Sequence, residues 1–388
     1  MPENSNQRHP SRKLDFIFAL NGLPLAGSGG SRIIVALVNC LVEKGYKVGI
    51  ISLPREPWLH VLNNDLPIPW YQSLFLQLND SPKTYRFFNK IFRFFLRSPS
   101  HFKLDGNVEI INGRALKNYE APFFIATNFM NAVQLKSFGT STDRIILFSQ
   151  VDETNIVYSN SYSGMATEVY KSFPKKLFIN REVTKRFPGT KKIGMAIDLS
   201  LYKLLNPIEL RIPDSIIFII RKGEQKDPET AIEAIDKIHE INHDARLAAF
   251  GNVDRSMIPS FVNYYFNPSD SEIVSLFNSN SIFVTTSVLE GYPAPPLEAM
   301  ACGCAVVSTD SIGIREYIDN EENGFICPIK NPDMVAETVI KLTLDISKRK
   351  EIALNGYKTA MNHSYDNMMN NFLKLMNEFN NEVRKEKI

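Results

Sequence analysis

The sequence predicts an α/β chain made of two doubly wound domains. Three observations carry that expectation. A strand–loop–helix–strand unit opens the chain over residues 14–53. A second alternating β/α series starts near residue 214. Between them lies a stretch of weaker pattern, with Pro207 and Pro213 near its end. Parallel strands with right-handed crossovers follow from such units.

Residues 14–22, LDFIFALNG, are apolar and rich in aromatic and β-branched types, which suits a buried strand. The loop LPLAGSGG follows. Residues 31–45 have helical periodicity, with Ser31 placed to cap and Gly45 to stop. Residues 46–53, YKVGIISL, give the next strand. Strands are then expected over 108–111, 122–126, 144–149 and 177–180, with helices over 128–138 and 181–187. In the second series, strands are expected over 215–220, 246–251, 281–286 and 305–309. Helices are expected over 228–241, 271–278, 296–301, 314–318 and 333–343. The segment 365–385 is polar and helical in pattern.

The implied organisation is a disordered leader over 1–12, an N-terminal domain over 13–205 and a C-terminal domain over 206–364. Residues 365–388 then form a helix that crosses back to the first domain. At roughly 100–200 residues per domain, 388 residues suit this division. The hydrophobic fraction is 44% and the charged fraction 22%, as in ordinary globular chains. A formal net charge of +2 excludes bulk polyanion binding, so any anion site must be local. Cys40, Cys302, Cys304 and Cys327 show no metal or redox spacing and read as free thiols in a reducing cytoplasm. No apolar run approaches the roughly 20 residues of a membrane span, and residues 1–12 lack a signal core.

Several residues can carry chemistry. The loop Gly27-Ser28-Gly29-Gly30 lets backbone N–H groups approach a phosphate at a helix start. A plain glycine-rich turn is the other reading. Arg221 and Lys226 follow a strand, where a guanidinium fork and an ammonium suit a diphosphate. A solvated basic turn is the alternative. Residues 287–310, SVLEGYPAPPLEAMACGCAVVSTD, are the most informative. Glu290 lies just past a buried strand. Pro295 and Pro296 pre-set a helix start, and Glu298 is expected in that helix's first turn. Both carboxylates then sit at the carboxyl end of a parallel sheet, where open α/β folds bind ligands.

This stretch resembles the Glu-x7-Glu signature of retaining glycosyltransferases of the group 1, or family four, type. Arg221 with Lys226 resembles that family's phosphate-binding pair. Residues 194–198, GMAID, resemble its Asn-Gly-Val-Asp stretch. Ile312 to Glu316 and Asn323-Gly324 resemble its downstream helix and turn. The resemblance covers the second domain well and the first only at its opening unit. It implies a GT-B fold: two Rossmann-like domains facing a central cleft. It implies sugar transfer from a nucleoside diphosphate sugar with retention, by a hexosyl- or deoxyhexosyltransferase of polysaccharide biosynthesis. In that family's terms Glu298 holds the ribose. Glu290, Gly291 and Tyr292 contact the donor sugar and phosphates. Arg221 and Lys226 stabilise the leaving diphosphate, and Gly27, Gly29 and Gly30 approach it from the other domain. No cofactor is implied, and no Asp-x-Asp metal motif occurs.

The family's first-domain histidine has no match here. The comparable strand end carries Gln150 and Asp152, which resembles rhamnosyltransferase-like relatives and would face sugar or acceptor. A polar capping loop explains them equally. Residues 83–104 carry six cations, no acidic residue and interleaved aromatics. They suit an anionic membrane surface or a lipid-linked acceptor, or else a core-facing helix with a solvated basic back. The expected partners are a nucleotide sugar and a glycan or lipid-linked acceptor, with no nucleic acid. The expected location is the cytoplasm or the inner face of a membrane. A catalytically silent nucleotide-sugar-binding subunit and a GT-B phosphorylase or epimerase stand as alternatives.

Overall fold

The computed structural model describes residues 12–21, 29–53, 104–150, 152–154, 160–179 and 181–385. Two compact units divide the chain. One is Met1–Ile193 with Met369–Ile388, and the other is Gly194–Met368.

The first unit holds strands β1 (Arg12–Lys13), β2 (Phe16–Asn21), β3 (Val48–Leu53), β4 (Glu109–Asn112), β5 (Tyr119–Glu120), β6 (Phe123–Ala126), β7 (Ile145–Ser149), β8 (Lys175–Phe178) and β9 (Thr190–Lys192). Seven of them form one sheet in the order β4-β3-β2-β6-β7-β8-β9, parallel throughout. Strands such as FIFALN and IILFS are continuous apolar runs because both faces of a parallel sheet are covered. β1 pairs with β5, so Arg12, expected in a leader, lies in a short strand instead. The rest of that leader, residues 1–11, is outside the described residues.

Helices of this unit are α1 (Gly29–Glu43), α2 (Phe129–Ser137), α3 (Asn160–Ser172) and α4 (Arg181–Arg186). The long final helix α10 (Tyr365–Lys385) hides its packing stripe in a polar sequence. Met368, Met369, Phe372, Leu375, Met376 and Phe379 are all buried, at helical spacing. The Phe372 ring lies 5.4 Å from Phe16 and 6.1 Å from Phe18. Lys191 Nζ bonds Glu378 at 2.8 Å and Glu382 at 2.9 Å.

The second unit holds β10 (Ser215–Ile220), β11 (Arg246–Gly251), β12 (Asn263–Phe266), β13 (Ile282–Thr285), β14 (Ala305–Thr309) and β15 (Phe325–Cys327). Their order is β12-β11-β10-β13-β14-β15, again all parallel. The chain leaves β10 toward β11 and β12, then returns to lay β13 on the opposite side. The strand order therefore reverses between β10 and β13, the place where doubly wound sheets open a crevice at their carboxyl ends. Helices α5 (Pro228–Ile241), α6 (Asp270–Ser279), α7 (Ala294–Ala301), α8 (Pro332–Leu344) and α9 (Ile346–Met361) cover the sheet. Their starts follow capping chemistry: Asp227 caps α5 ahead of Pro228, and Ser269 with Glu272 forms a capping box on α6.

The units divide at Ile193 and Gly194, upstream of the 205/206 join read from the prolines. Side-chain chemistry explains the difference. Asn278 Oδ1 accepts from Leu205 N at 2.7 Å and Asn206 N at 3.2 Å, and its Nδ2 donates to Lys203 O at 2.9 Å. Tyr202 packs 6.4 Å from Phe277. Residues before the prolines are thus tied to the second sheet. Arg211 fastens the same corner. Buried, it donates to the carbonyls of Phe277 at 3.1 Å, Asn280 at 2.9 Å and Cys302. These carbonyls belong to the ends of α6 and α7, where helix dipoles are negative and carbonyls lack helical partners. The four cysteines are free thiols; Cys302, Cys304 and Cys327 are buried, and burial pushes the Cys304 thiol up to about 11.

Candidate active site

The site begins where β10 ends. Arg221 follows Ile220 directly, and Gly223, at φ 118°, turns the chain into a short 3-10 turn, Glu224–Lys226. Asp227 then sits in the left-handed region at φ 47° and caps α5. This conformation costs a non-glycine residue energy, and Asp227 offsets it by accepting from Thr230 N at 3.3 Å and Thr230 Oγ1 at 2.7 Å.

Across the switch point, the loop after β13 is stitched to that turn. Val288 N donates to Gln225 O at 2.9 Å, and Thr286 Oγ1 to Asp227 O at 2.9 Å. The stitching brings three donors to one oxygen. Glu290 Oε1 accepts from Lys226 Nζ at 2.7 Å, Arg221 Nη2 at 2.8 Å and Ser287 Oγ at 3.0 Å. The side chains of Glu290, Arg221 and Lys226 are 15%, 30% and 25% exposed, so a ligand can reach them while water screens them incompletely. Two cations against one carboxylate leave a local positive charge, which suits a diphosphate.

The loop after β14 supports Glu290 from behind. Glu290 N donates to Ser311 O at 3.0 Å, and Gly313 N to Glu290 O at 3.1 Å. Gly313 permits the approach. A Cβ there would stand 2.5 Å from both Glu290 O and Gly291 O.

Helix α7 starts at Ala294, two residues before the expected start. Glu298 is therefore its fifth residue, in the second turn rather than the first. The reason is that prolines are at home in a helix's first turn, so Pro295 and Pro296 extend the helix backward. Neither has an N–H, so the first four positions offer only the N–H groups of Ala294 and Leu297. Glu298 and Glu290 still share a neighbourhood. The buried Tyr317 hydroxyl, which donates to Pro293 O at 2.6 Å, is held well above the usual phenol range. Burial is the main cause, followed by Tyr292 and both of these carboxylates.

Tyr292 faces inward. Its hydroxyl lies 3.0 Å from His363 Nε2, and His363 Nδ1 lies 2.9 Å from Thr359 O. A carbonyl only accepts, so Nδ1 is the donor in that bond. Replacing Tyr292 by Phe is expected to cost about 1 kcal/mol of stability, read from the denaturant midpoint.

In the first unit, Gly29 and Gly30 are the first two residues of α1, and Gly27 lies outside the described residues, as do residues 83–103. Asp152 is paired with Arg186 Nη1 at 2.5 Å and accepts from Thr154 Oγ1 at 2.5 Å. Gln150 lies beside it at the end of β7, half-buried. The residue that the sequence reading passed over is Glu153. It is buried, and its Oε2 accepts from Tyr170 Oη at 2.8 Å, Phe129 N at 3.2 Å and Ser149 Oγ at 3.3 Å. Burial pushes its carboxyl up to about 7 despite those three donors. Nothing in a run of Gln-Val-Asp-Glu separates the partly exposed carboxylate from the fully buried one.

Among the described residues, no three His, Cys, Asp or Glu side chains lie together as a metal-ligand group, and no helix is long and apolar enough to cross a membrane.

Comparison with known proteins fits this geometry. The N,N'-diacetylbacillosaminyl-diphospho-undecaprenol alpha-1,3-N-acetylgalactosaminyltransferase of Campylobacter jejuni is 35% identical over 105 residues, 27% of this chain and 28% of that one. The poly(glycerol-phosphate) alpha-glucosyltransferase of Bacillus subtilis is 25% identical over 59% of this chain and 37% of its own length. The chain thus spans well under half of these two relatives. An uncharacterized glycosyltransferase of Haemophilus influenzae is 22% identical over 82% of this chain and 87% of that one. Among solved structures, Anabaena HepE in complex with UDP and glucose superposes with a TM-score of 0.67 at 12% identity, covering 94% of this chain and 100% of that one. Sucrose-phosphate synthase of Thermosynechococcus elongatus gives 0.66 at 12% identity, covering 95% and 98%. These superpositions give the chain the GT-B fold. The family model of glycosyl transferases group 1 matches residues 212–359, a span within the second unit that holds Arg221, Lys226, Glu290 and Glu298.

Proposed function

We propose that the protein transfers a sugar from a nucleoside diphosphate sugar to a glycan or lipid-linked acceptor, with retention of anomeric configuration and without a metal ion. The observation that carries this reading is the meeting of Arg221 and Lys226 on Glu290 at the switch point of the second sheet. The names of the Campylobacter jejuni and Bacillus subtilis relatives support it, since both are alpha-glycosyltransferases and one name carries a diphospho-undecaprenol lipid.

In this reading the bond between the sugar's anomeric carbon and the phosphate oxygen breaks, and the diphosphate leaves with the electron pair. Arg221 and Lys226 stabilise the charge that develops on it, as fixed donors aimed at a leaving group. The acceptor oxygen bonds the anomeric carbon from the same face, and its proton passes to the departing phosphate oxygen. Glu290 positions the two cations and meets the sugar. Glu298 accepts from the ribose hydroxyls. Positioning and charge stabilisation supply the catalysis.

A thermal-shift panel of nucleotide sugars, run with a chelator present throughout, tests this. One nucleotide sugar is expected to raise the melting temperature by mass action, and turnover with that donor is expected to persist in the chelator. Conversion of the donor to an isomeric nucleotide sugar without any acceptor points instead to an epimerase. Binding with no turnover on any glycan or lipid-linked acceptor points to a silent subunit. Turnover restored only by a divalent cation overturns the metal-free site.

A further inference from the structure

Behind Glu290 the chain makes a turn that few sequences accept. Ile312 has φ 66° and ψ −64°, and Gly313 N donates across it to Ser311 O at 2.8 Å. This is the γ-turn of positive φ, which is rare and strained even before side chains are considered. For a β-branched residue the conformation is an outlier. Strain of this kind persists where the surroundings over-determine it, and it gathers at ligand-binding sites. Glycine would adopt the turn without a Cβ penalty.

The isoleucine side chain is not there to fill a core. It is 47% exposed, one of the larger exposed apolar groups of the second unit. Yet it is bridged through its backbone to Glu290, the residue on which both cations converge. Its immediate neighbours are occupied otherwise. Asp310 is paired with Arg315, Ser311 O accepts from Glu290 N, and Ile314 is buried. A costly backbone therefore presents a half-exposed apolar group on the residue bridged to Glu290.

The geometry points to Ile312 as a specificity-determining residue that contacts a carbon-bound apolar group of the donor sugar, such as a methyl or a C–H face. The inference rests on the donor reading above. Ile312 makes its contact with the sugar and leaves the diphosphate to Arg221 and Lys226. A sugar face that covers part of a sec-butyl side chain removes enough apolar surface from water to change affinity about five- to tenfold.

The test compares wild type, Ile312→Gly and Ile312→Ala. Binding is measured by calorimetry for UDP-, GDP-, ADP- and dTDP-sugars and for the four bare nucleoside diphosphates. For the sugar nucleotide that the wild type binds best, both variants are expected to lose about five- to tenfold in affinity. Both are expected to bind the matching bare diphosphate as the wild type does. Without ligand, Ile312→Gly is expected to melt no lower than the wild type, because relief of the turn offsets the entropy glycine adds to the unfolded chain. A sharp fall in its melting temperature makes Ile312 a packing residue and overturns the inference. Equal loss for sugar nucleotide and bare diphosphate, or no loss for either, also overturns it. A wild type that binds none of the eight overturns the donor reading, and this inference with it.

Discussion

Lys226→Ala is expected to lower kcat at saturating donor by about 10²–10³-fold, the usual loss when one fixed donor to a developing anion is removed. Lys226 and Arg221 share a single carboxylate oxygen, so neither is fully committed to it. Arg221→Lys is expected to fall short of wild type as well, because an ammonium cannot reproduce the guanidinium fork. The behaviour of Glu290 gives the sharper discrimination. In the free protein its carboxylate competes with an incoming diphosphate for both cations. Glu290→Gln removes that competitor. It is expected to bind bare nucleoside diphosphate more tightly than wild type while turning over more slowly. Glu298→Ala is expected to do the reverse, raising KM with little change in kcat, because a ribose contact acts equally in ground and transition states. Steady-state kinetics with direct binding measurements separate these outcomes. Wild-type constants in both glutamate variants would remove the site from the second unit.

Glu153→Gln is expected to stabilise the protein at alkaline pH and to flatten its pH dependence. The folded-state value of about 7 lies above the ordinary carboxyl value of 4.5. A raised value means the native state holds the proton more tightly than the unfolded chain. Its contribution is complete below about pH 4.5 and is lost as pH rises through 7. The shift corresponds to about 3 kcal/mol across that window. Glutamine keeps an acceptor for Tyr170, Phe129 N and Ser149 and never ionises. The variant and wild type should therefore be similar near pH 4.5 and diverge by pH 8, with the variant the more stable. Asp152 adds to the penalty on ionised Glu153, so it belongs in the control set. Parallel unfolding curves for the two proteins between pH 5 and 8 would refute this account of Glu153.

The central strands were legible because a strand buried on both faces reads as an unbroken apolar run. SIIFII, IFVT and AVVST leave little choice. The strands that escaped notice lack that signature. β12, NYYF, is an edge strand with exposed positions, β9 is the tripeptide TKK, and β15 spans three residues. Helix α3, NSYSGMATEVYKS, carries serine and glycine where a clear apolar stripe would be needed. The candidate-site residues Arg221, Lys226, Glu290 and Glu298 stand out in the sequence for a different reason: their spacing resembles a known motif. The start of α7 was expected at Pro296, whereas Pro295 and Pro296 are its second and third residues. Two site features left no trace in the sequence. The burial of Glu153 depends on Tyr170 folding over it, and the positive φ of Ile312 is imposed by hydrogen bonds from a distant loop.

The donor cluster also has a consequence for how the second unit acquires it. Glu290 reaches Lys226 across 64 positions of chain and Arg221 across 69. Closing loops of that length is entropically costly, and the pairing of β10 with β13 spans the same length of chain, so the cluster forms together with that strand pair rather than locally. No fragment ending before the loop that follows β14 can assemble it, since Glu290 needs Ser311 and Gly313 at its back. A nascent chain that ends at residue 300 therefore carries Arg221, Lys226, Glu290 and Glu298 but lacks the backbone partners at Ser311 and Gly313 that hold Glu290 in place.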